Sequence, residues 1–176
     1  DGRVGLSSTS NLDDVAGLIG NAVEMAPFGP QAKLSFPSLS AYAPVEVYDR
    51  AVETFPVDQM VHLGQSLIDR VRAHSSELLC SASVTKAIST VTILNSRGGS
   101  ASYRKTHFST FIEGQIVRGT DMLFLWDGKS SCQVITDTRE METSLVEQLE
   151  QAREIAPAPS GQVPVLFSLA CAVVAA

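Results

Sequence analysis

Residue types that commonly build catalytic and metal sites are scarce in this sequence. Its 176 residues include three histidines, three cysteines and one tryptophan, and only 18% of the residues are charged. The sequence contains no H-E-x-x-H or C-x-x-C pair, no Walker or dinucleotide-binding glycine motif, and no G-x-S-x-G elbow. Cys80, Cys132 and Cys171 are odd in number and widely spaced, so they do not form a disulfide framework. Reduced, partly buried thiols in a cytosolic protein are the simpler interpretation.

The charge balance argues against nucleic acid as a partner, and the length of the apolar end argues against a membrane. With a net charge of −6 and a pI near 5.0, the surface repels phosphate unless its cations are segregated on one face. The cations between positions 97 and 118 are expected to be solvated strand ends and turns: Arg97, Arg104, Lys105 and Arg118. The apolar run 163–176 is too short to cross a bilayer, which needs about 20 residues. Nucleic acid and membrane are therefore not expected partners, and the expected location is the cytoplasm.

The segment from Glu77 to Gly128 is predicted to form one antiparallel β-meander. Asn95–Gly99 is expected to be a tight turn in its middle, because Asn and Gly tolerate the positive φ that hairpin turns need. The apolar positions on the two sides of Lys86–Ser89 differ in parity. This difference predicts a bulge or turn at Lys86–Ser89.

After the Asn95–Gly99 turn, apolar and polar residues alternate as expected for a sheet with one wet face. One set of side chains is predicted to point to the core side: Phe108, Thr110, Ile112 and Ile116. The last strand, Met122–Trp126, is apolar on both faces. We expect four residues of the meander to be part of the core: Phe108, Ile112, Phe124 and Trp126.

Apolar stripes at helical spacing predict three helices, at about 12–26, 56–74 and 137–156. Ser10 or Asn11 is expected to cap the first helix. A block of strands with helices on either side indicates the α+β class rather than a parallel sheet. The predicted architecture is an antiparallel β-meander sheet with about three helices packed on it.

The three histidines do not suggest a metal site. His62 and His74 lie twelve positions apart on the second predicted helix, which separates them by about 120° around its axis. His107 falls on the polar strand face and is expected to be exposed. Gly64 interrupts the apolar stripe of the same helix, and close approach of another backbone would explain it. Three serines are expected to be turn residues rather than nucleophiles: Ser96, Ser100 and Ser102. No catalytic, cofactor-binding or metal-binding residue is predicted.

The end of the sequence suggests a further domain. The proline-rich stretch 157–162 is typical of a linker between domains. Val163–Phe167 predicts a buried strand and Ala170–Ala176 the opening of a helix. The expected organisation is one domain over 1–156, the linker, and the truncated start of a second domain over 163–176. The absence of an initiator Met and the abrupt first residues also suggest a piece of a longer protein.

Four segments, taken in order, resemble the N-terminal domain of the TldD/PmbA family, the so-called modulators of DNA gyrase. Asp1–Asp14 resembles the family's glycine-containing opening and first helix, and Glu24–Pro30 its exit into a proline-rich loop. Asn95–Gly98 is similar to its N-S-x-G turn, and Gly161–Phe167 to the start of its second domain. The motifs are weak singly, but their order covers nearly the whole chain. The meander is somewhat more similar to the PmbA branch.

The resemblance implies a role in peptide processing. Members of the family form dimeric, two-domain assemblies that cleave unfolded or precursor peptides in the bacterial cytoplasm. In the TldD branch, an H-E-x-x-x-H zinc motif lies in the second domain. Because this sequence lacks that motif, no catalytic residue carries over, and zinc is implied only for a full-length protein or its partner subunit.

Two functions follow from these observations. The first is a non-catalytic N-terminal scaffold domain of a TldD/PmbA-type metallopeptidase subunit, with a second such subunit, in a homo- or heterodimer, and a peptide substrate as partners. The alternative is a stand-alone protein- or peptide-interaction module, in which an edge of the meander recruits an extended peptide by strand addition.

Overall fold

The computed structural model describes residues 2–33, 35–38, 43–153, 157 and 159–164. Their order of elements is helix, two further helices, three strands and a last helix. The bounds are α1 Val15–Met25, α2 Arg50–Thr54, α3 Val57–Arg72, β1 Leu79–Leu94, β2 Ser100–Arg118, β3 Asp121–Ser131 and α4 Arg139–Gln151. The strands form one open sheet in the order β1-β2-β3. The predicted α+β fold with an antiparallel meander is confirmed.

The chain divides into two compact units. Unit 1 consists of Asp1–Glu46 and Ser89–Arg104, and unit 2 of Val47–Ile88 and Lys105–Ala176. Both β1 and β2 contribute residues to each unit. All the buried hydrophobic residues found in the described ranges belong to unit 2, so the hydrophobic core that can be described is that of unit 2.

In unit 1, α1 begins later than the apolar stripe predicts. Asp14 caps it, because its Oδ1 accepts a hydrogen bond from the amide of Gly17 at 2.9 Å. Ser10 and Asn11 are therefore wrong as caps. Asn11 instead accepts a bond from the amide of Asp13 at 3.1 Å, which holds the chain in a turn before the helix starts.

The hairpin turn of unit 1 is confirmed at Asn95–Gly99. The Asn95 side-chain oxygen accepts bonds from the amides of Arg97 and Gly99, at 2.9 and 3.0 Å. Gly98 has a φ of 83°, a conformation that only glycine adopts at low cost. Of the bulge or turn expected at Lys86–Ser89, the turn is wrong, because β1 is one continuous strand, and the bulge stays a prediction. The burial alternation of β1 does change parity between Lys86 and Ser89.

In unit 2, a tight turn at Gly119-Thr120 joins β2 to β3. Gly119 has a φ of 65°, as the first central residue of a type II′ hairpin turn requires. The antiparallel register runs from Arg118↔Asp121 to Phe108↔Ser131. The predicted alternation along β2 is confirmed, because its even-numbered side chains between 106 and 116 are buried and the odd-numbered ones are largely exposed.

The buried face of the sheet, called the inner face below, packs against α3 and α4. One cluster joins the long helices to the strands: Leu67, Val71, Leu78, Ile112, Ile116, Leu125, Met141, Leu145 and Leu149. A second cluster contains Val52 of α2, Met60, Phe108 and Ile135. The ring of Phe55 meets the ring of Phe108 edge to face, with centroids 5.4 Å apart. Phe108 and Ile112 are fully buried, as predicted.

Gly64 faces side chains, and the expected close backbone approach is wrong. A methyl group on Gly64 would lie 3.5 Å from Val84 Cγ2 and 3.7 Å from Ala82 Cβ, both on β1. These are ordinary van der Waals distances. The predicted helices are otherwise shorter at their ends, and His74 lies two residues beyond the end of α3 rather than in it.

Residues 154–156 and 165–176 lie outside the described residues. The end of the third predicted helix therefore cannot be compared beyond position 153. The strand predicted at Val163–Phe167 and the helix at Ala170–Ala176 stay predictions, as does the division into domain, linker and second domain. Across the residues with described positions, no helix is both long enough and apolar enough to cross a membrane.

Candidate interaction surface

The face of the sheet opposite α3 and α4 is called the outer face below, and none of the described residues of unit 2 covers it. The register places Trp126 beside Glu113 and Phe124 beside Gln115, which puts both aromatic side chains on this outer face. Phe124 is 62% exposed and Trp126 is 52% exposed, so their predicted places in the core are wrong. The helices cover the side on which Leu125 is buried, and each neighbour in a strand points the other way.

Six large apolar side chains lie together on the outer face. Each is more than a third exposed. We call this set the outer patch: Leu79 of β1, Phe111 and Val117 of β2, and Met122, Phe124 and Trp126 of β3. Contiguous apolar surface of this kind marks interaction sites more often than isolated exposed residues do.

Aromatic contacts order one end of the outer patch. The rings of Phe111 and Trp126 stack with centroids 6.3 Å apart and an angle of 28° between their planes. Gly128 lies opposite Phe111, and a methyl group there would come within 3.1 Å of the Phe111 ring. Gly128 thus leaves room for the ring. A hollow of about 360 Å³ opens between Phe111, Phe124 and Trp126.

One charged side chain lies among the six residues of the outer patch. Glu113 lies between the aromatic residues, and its Oε1 accepts a hydrogen bond from the Ser81 hydroxyl at 2.9 Å. Gln115, two positions along β2, is the other long polar side chain here. Lys105 and His107 share the outer face but lie nearer the start of β2. The surface is therefore apolar with a single carboxylate at its centre.

A second hollow, of about 540 Å³, lies between α3 and the segment before α4, and His62, Arg70 and Arg139 line it. Arg70 donates from Nε to Glu142 at 2.7 Å. Arg139 pairs with Asp137 and holds the pKa of that carboxyl well below its usual range. Because both guanidinium groups are already paired with carboxylates, this hollow offers no strong attraction for an anion.

The three histidines lie at three different places in unit 2. His62 lines the second hollow, His74 Nε2 lies 3.6 Å from a carboxylate oxygen of Glu142, and His107 is exposed on the outer face. Over the described ranges, no three His, Cys, Asp or Glu side chains are grouped to hold a metal ion.

The basic residues of the meander do not form one patch in unit 2. Lys105 and Arg118 lie thirteen positions apart on β2, which corresponds to about 43 Å along an extended strand. Arg118 is paired with Glu77 at 3.0 Å. Arg97 and Arg104 belong to unit 1, where Arg97 donates to the carbonyl of Phe36 at 3.0 Å.

Two of the cysteines are free thiols, each partly buried: Cys80 and Cys132. Burial raises the pKa of the Cys80 thiol, although the positive charge of Arg72 opposes the effect. Cys171 lies outside the described residues.

Comparison with solved structures bears out the fold. No protein-family model and no curated protein matches the sequence. TldE from Thermococcus kodakarensis is similar over 90% of this chain, with a TM-score of 0.64 and 17% identity. A putative modulator of DNA gyrase from Bacteroides thetaiotaomicron is similar over 86% of this chain, with a TM-score of 0.69 and 16% identity. Another from Thermotoga maritima is similar over 92% of it, with a TM-score of 0.68 and 14% identity.

In each case this chain spans 37% of the length of the solved protein. At these identities the likeness concerns the fold alone. The resemblance inferred from the ordered motifs is thus confirmed in three dimensions: the chain has the fold of one part of TldE and of the two putative gyrase modulators.

Proposed function

We propose that this chain is the N-terminal scaffold domain of a TldD/PmbA-type subunit, in a cytoplasmic assembly that processes peptides. The observation that carries the proposal is the fold shared with TldE and two putative gyrase modulators over 86–92% of the chain. The order of the four sequence motifs supports it. The domain spans 1–156, with a linker at 157–162 and the second domain beginning at 163.

The scaffold role rests on the two unlike faces of the sheet. The inner face packs against α3 and α4 around the buried core of unit 2. The outer face, which no described residue covers, docks another subunit through Phe111, Phe124 and Trp126. Zinc and the catalytic residues belong to another domain or to the partner subunit, because the H-E-x-x-x-H motif of the TldD branch does not occur in this sequence.

The first experiment asks whether the chain cleaves peptides alone. The purified 176-residue chain is incubated with an unstructured peptide, with and without added zinc, and cleavage is followed by mass spectrometry. We expect no cleavage. Zinc-dependent cleavage by this chain alone would overturn the scaffold assignment.

The second experiment asks whether the chain binds a TldD-type subunit. The chain is mixed with the TldD-type subunit of the same genome, one that carries H-E-x-x-x-H, and binding is measured by calorimetry. Binding is expected, and Phe124→Lys should abolish it. Val61→Lys is the matched control, because Val61 is 66% exposed but lies on α3. Absence of binding by the parent chain would contradict the proposal.

An interaction module without any peptidase partner is the second candidate. The outer patch favours this reading as well, since it would serve any docking partner. Reading the gene beyond the codon for Ala176 separates the two. A second domain of the family supports the scaffold, whereas a stop codon near that point supports the stand-alone module.

A further inference from the structure

The two edges of the sheet in unit 2 are covered differently. The edge formed by β3 packs against α4, whose Gln148 side chain donates to the carbonyl of Trp126 at 3.1 Å. The edge formed by β1 is paired on one side only, with β2. On its other side, the N–H and C=O groups of alternate residues in Leu79–Ile88 have no strand partner among the described residues. An unpaired edge of this length is a template for one more strand.

α3 runs along β1 on the inner face. Near the start of α3, the ammonium group of Lys86 donates to two carbonyls at the end of α2. In its middle, a methyl group on Gly64 would lie 3.5 Å from Cγ2 of Val84. Its last residue, Arg72, is close enough for its charge to act on the thiol of Cys80. Because these contacts follow β1 backwards from Lys86 to Cys80, α3 lies antiparallel to β1 and above it.

Apolar residues of α3 project past the β1 edge. At about 100° per residue, Leu67 and Val71 lie to one side of Gly64, where they share a buried cluster with β2. Three other apolar residues lie on the opposite side of Gly64, about 20–60° around the axis: Val57, Val61 and Ile68. This set, called the overhang below, therefore points away from β2 and past β1. Its two valines are each 66% exposed.

An added strand fits beneath the overhang. Neighbouring strands lie about 4.8 Å apart, and a helix with its side chains is about 10–12 Å wide. Because α3 lies above β1, its side chains extend over the position next to β1. The unpaired backbone of β1 and the exposed overhang meet at this position, and a strand placed there satisfies both.

We propose that the free edge of β1 binds an extended peptide as a fourth strand of the sheet, beneath the overhang. Backbone pairing supplies affinity that depends little on sequence, and alternate side chains supply the preference. The peptide side chains on the inner face meet the overhang and are apolar. Those on the outer face lie beside the exposed Ser81, Ser83 and Thr85 and are small or polar. The stretch Cys80–Lys86 is about 20 Å long, which corresponds to about seven residues of peptide.

A second copy of the chain fits this edge badly. If β1 paired with the β1 of another copy in antiparallel fashion, both α3 helices would lie on the same face, above strands about 4.8 Å apart. Two packed helices need about 8–10 Å between their axes. Each copy also carries a net charge of −6, which adds repulsion. A peptide brings no covering helix, so it is the occupant that the edge accommodates.

Binding is tested with the peptide K-V-T-V-T-V-T-V-K, whose valines fit the overhang and whose lysines complement the negative net charge of the chain. Fluorescence anisotropy of its fluorescein-labelled form measures the affinity of the whole chain. The control is the same peptide with N-methyl groups on its three central backbone nitrogens, which keeps the side chains and blocks pairing on either edge. The control should bind at least tenfold more weakly. If the parent peptide fails to bind, or both bind equally, the inference is wrong.

Variants and hydrogen exchange locate the site. Val61→Lys places a charge in the overhang and should weaken peptide binding at least tenfold. Val23→Lys is the matched control, because Val23 is also 66% exposed but lies on α1. Amide exchange should slow on peptide addition within Leu79–Ile88 and not within Met122–Trp126. Binding that is lost with Val23→Lys and kept with Val61→Lys, or protection of Met122–Trp126 instead, refutes the assignment.

The inference rests on the proposed function in one respect, since the bound peptide is the substrate of the proposed assembly. Their failures are distinguishable, because Val61 belongs to the overhang and not to the outer patch. A chain that binds the TldD-type subunit but not the peptide refutes the β1 site and keeps the scaffold. A chain that binds the peptide but not the subunit does the reverse. Displacement of the peptide by the subunit would assign the edge to a strand of that subunit and overturn the inference.

Discussion

Two buried threonines on the inner face of β2 provide a matched test of unit 2. The hydroxyl of Thr106 accepts a bond from the amide of Asp49 at 2.9 Å and donates to the carbonyl of Cys132 at 2.7 Å. Thr110, four residues further on, is only 1% exposed, and its hydroxyl has no hydrogen-bond partner among the described residues. We therefore expect Thr→Val substitutions at the two positions to have opposite effects.

The changes in the free energy of unfolding follow from the polar groups that each substitution leaves without a partner. Thr106→Val strands one donor and one acceptor, each at about 1–3 kcal/mol, for a total loss of roughly 2–4 kcal/mol after the gain from the added methyl group. Thr110→Val removes a hydroxyl that pays desolvation without a bond, which should stabilise the chain by about 1 kcal/mol. Valine also suits a strand at least as well as threonine.

Urea unfolding followed by far-UV circular dichroism measures both values. The expected difference between the two variants is about 3–5 kcal/mol in the free energy of unfolding. Thr106→Ser, which keeps the hydroxyl, should lose less than Thr106→Val. If Thr110→Val destabilises the chain by more than about 1 kcal/mol, its hydroxyl has a buried partner such as a water molecule and the reasoning is wrong.

Two further predictions concern packing and reactivity. Gly64→Ala should stabilise α3 by about 0.5–1 kcal/mol. Gly114→Ala should destabilise the chain by about 1–3 kcal/mol, because its methyl group would lie 3.0 Å from a methyl group of the buried Leu78. Equal changes in the free energy of urea unfolding for the two variants would contradict this packing. Cys80 should react with iodoacetamide at pH 8 more slowly than free cysteine, because its raised pKa leaves less thiolate. Peptide mass spectrometry measures the rate of alkylation, and a rate as fast as that of free cysteine would disprove the expected protection of Cys80.

The sequence predicts the meander well because alternation along β2 is regular. Phe108 and Ile112 fall on the covered face, and the asparagine and glycines of Asn95–Gly99 leave little choice of conformation. α2 escapes prediction because its five residues are too few to show a helical period. Its buried residue Val52 is missed for the same reason.

The outer patch could not be predicted because β3 is apolar on both faces. An apolar strand indicates burial, but only the packing of α3 and α4 decides which face is buried. Leu125 lies under the helices, and its neighbours Phe124 and Trp126 are left outside. The available signal was the combination of a doubly apolar strand with too few long helices to cover both sides of a sheet.

The edge position of β1 has a consequence for refolding. Lys86 is the single charged residue among the sixteen of this strand, and its ammonium group donates to the carbonyls of Glu53 and Phe55 at the end of α2. Charged side chains normally keep an edge strand from joining another chain. Before α2 docks during refolding, the free lysine protects this edge. In the folded chain the end of α2 holds the lysine, and β1 has no second charge to protect its edge, so intermolecular β-pairing should begin after α2 docks rather than before.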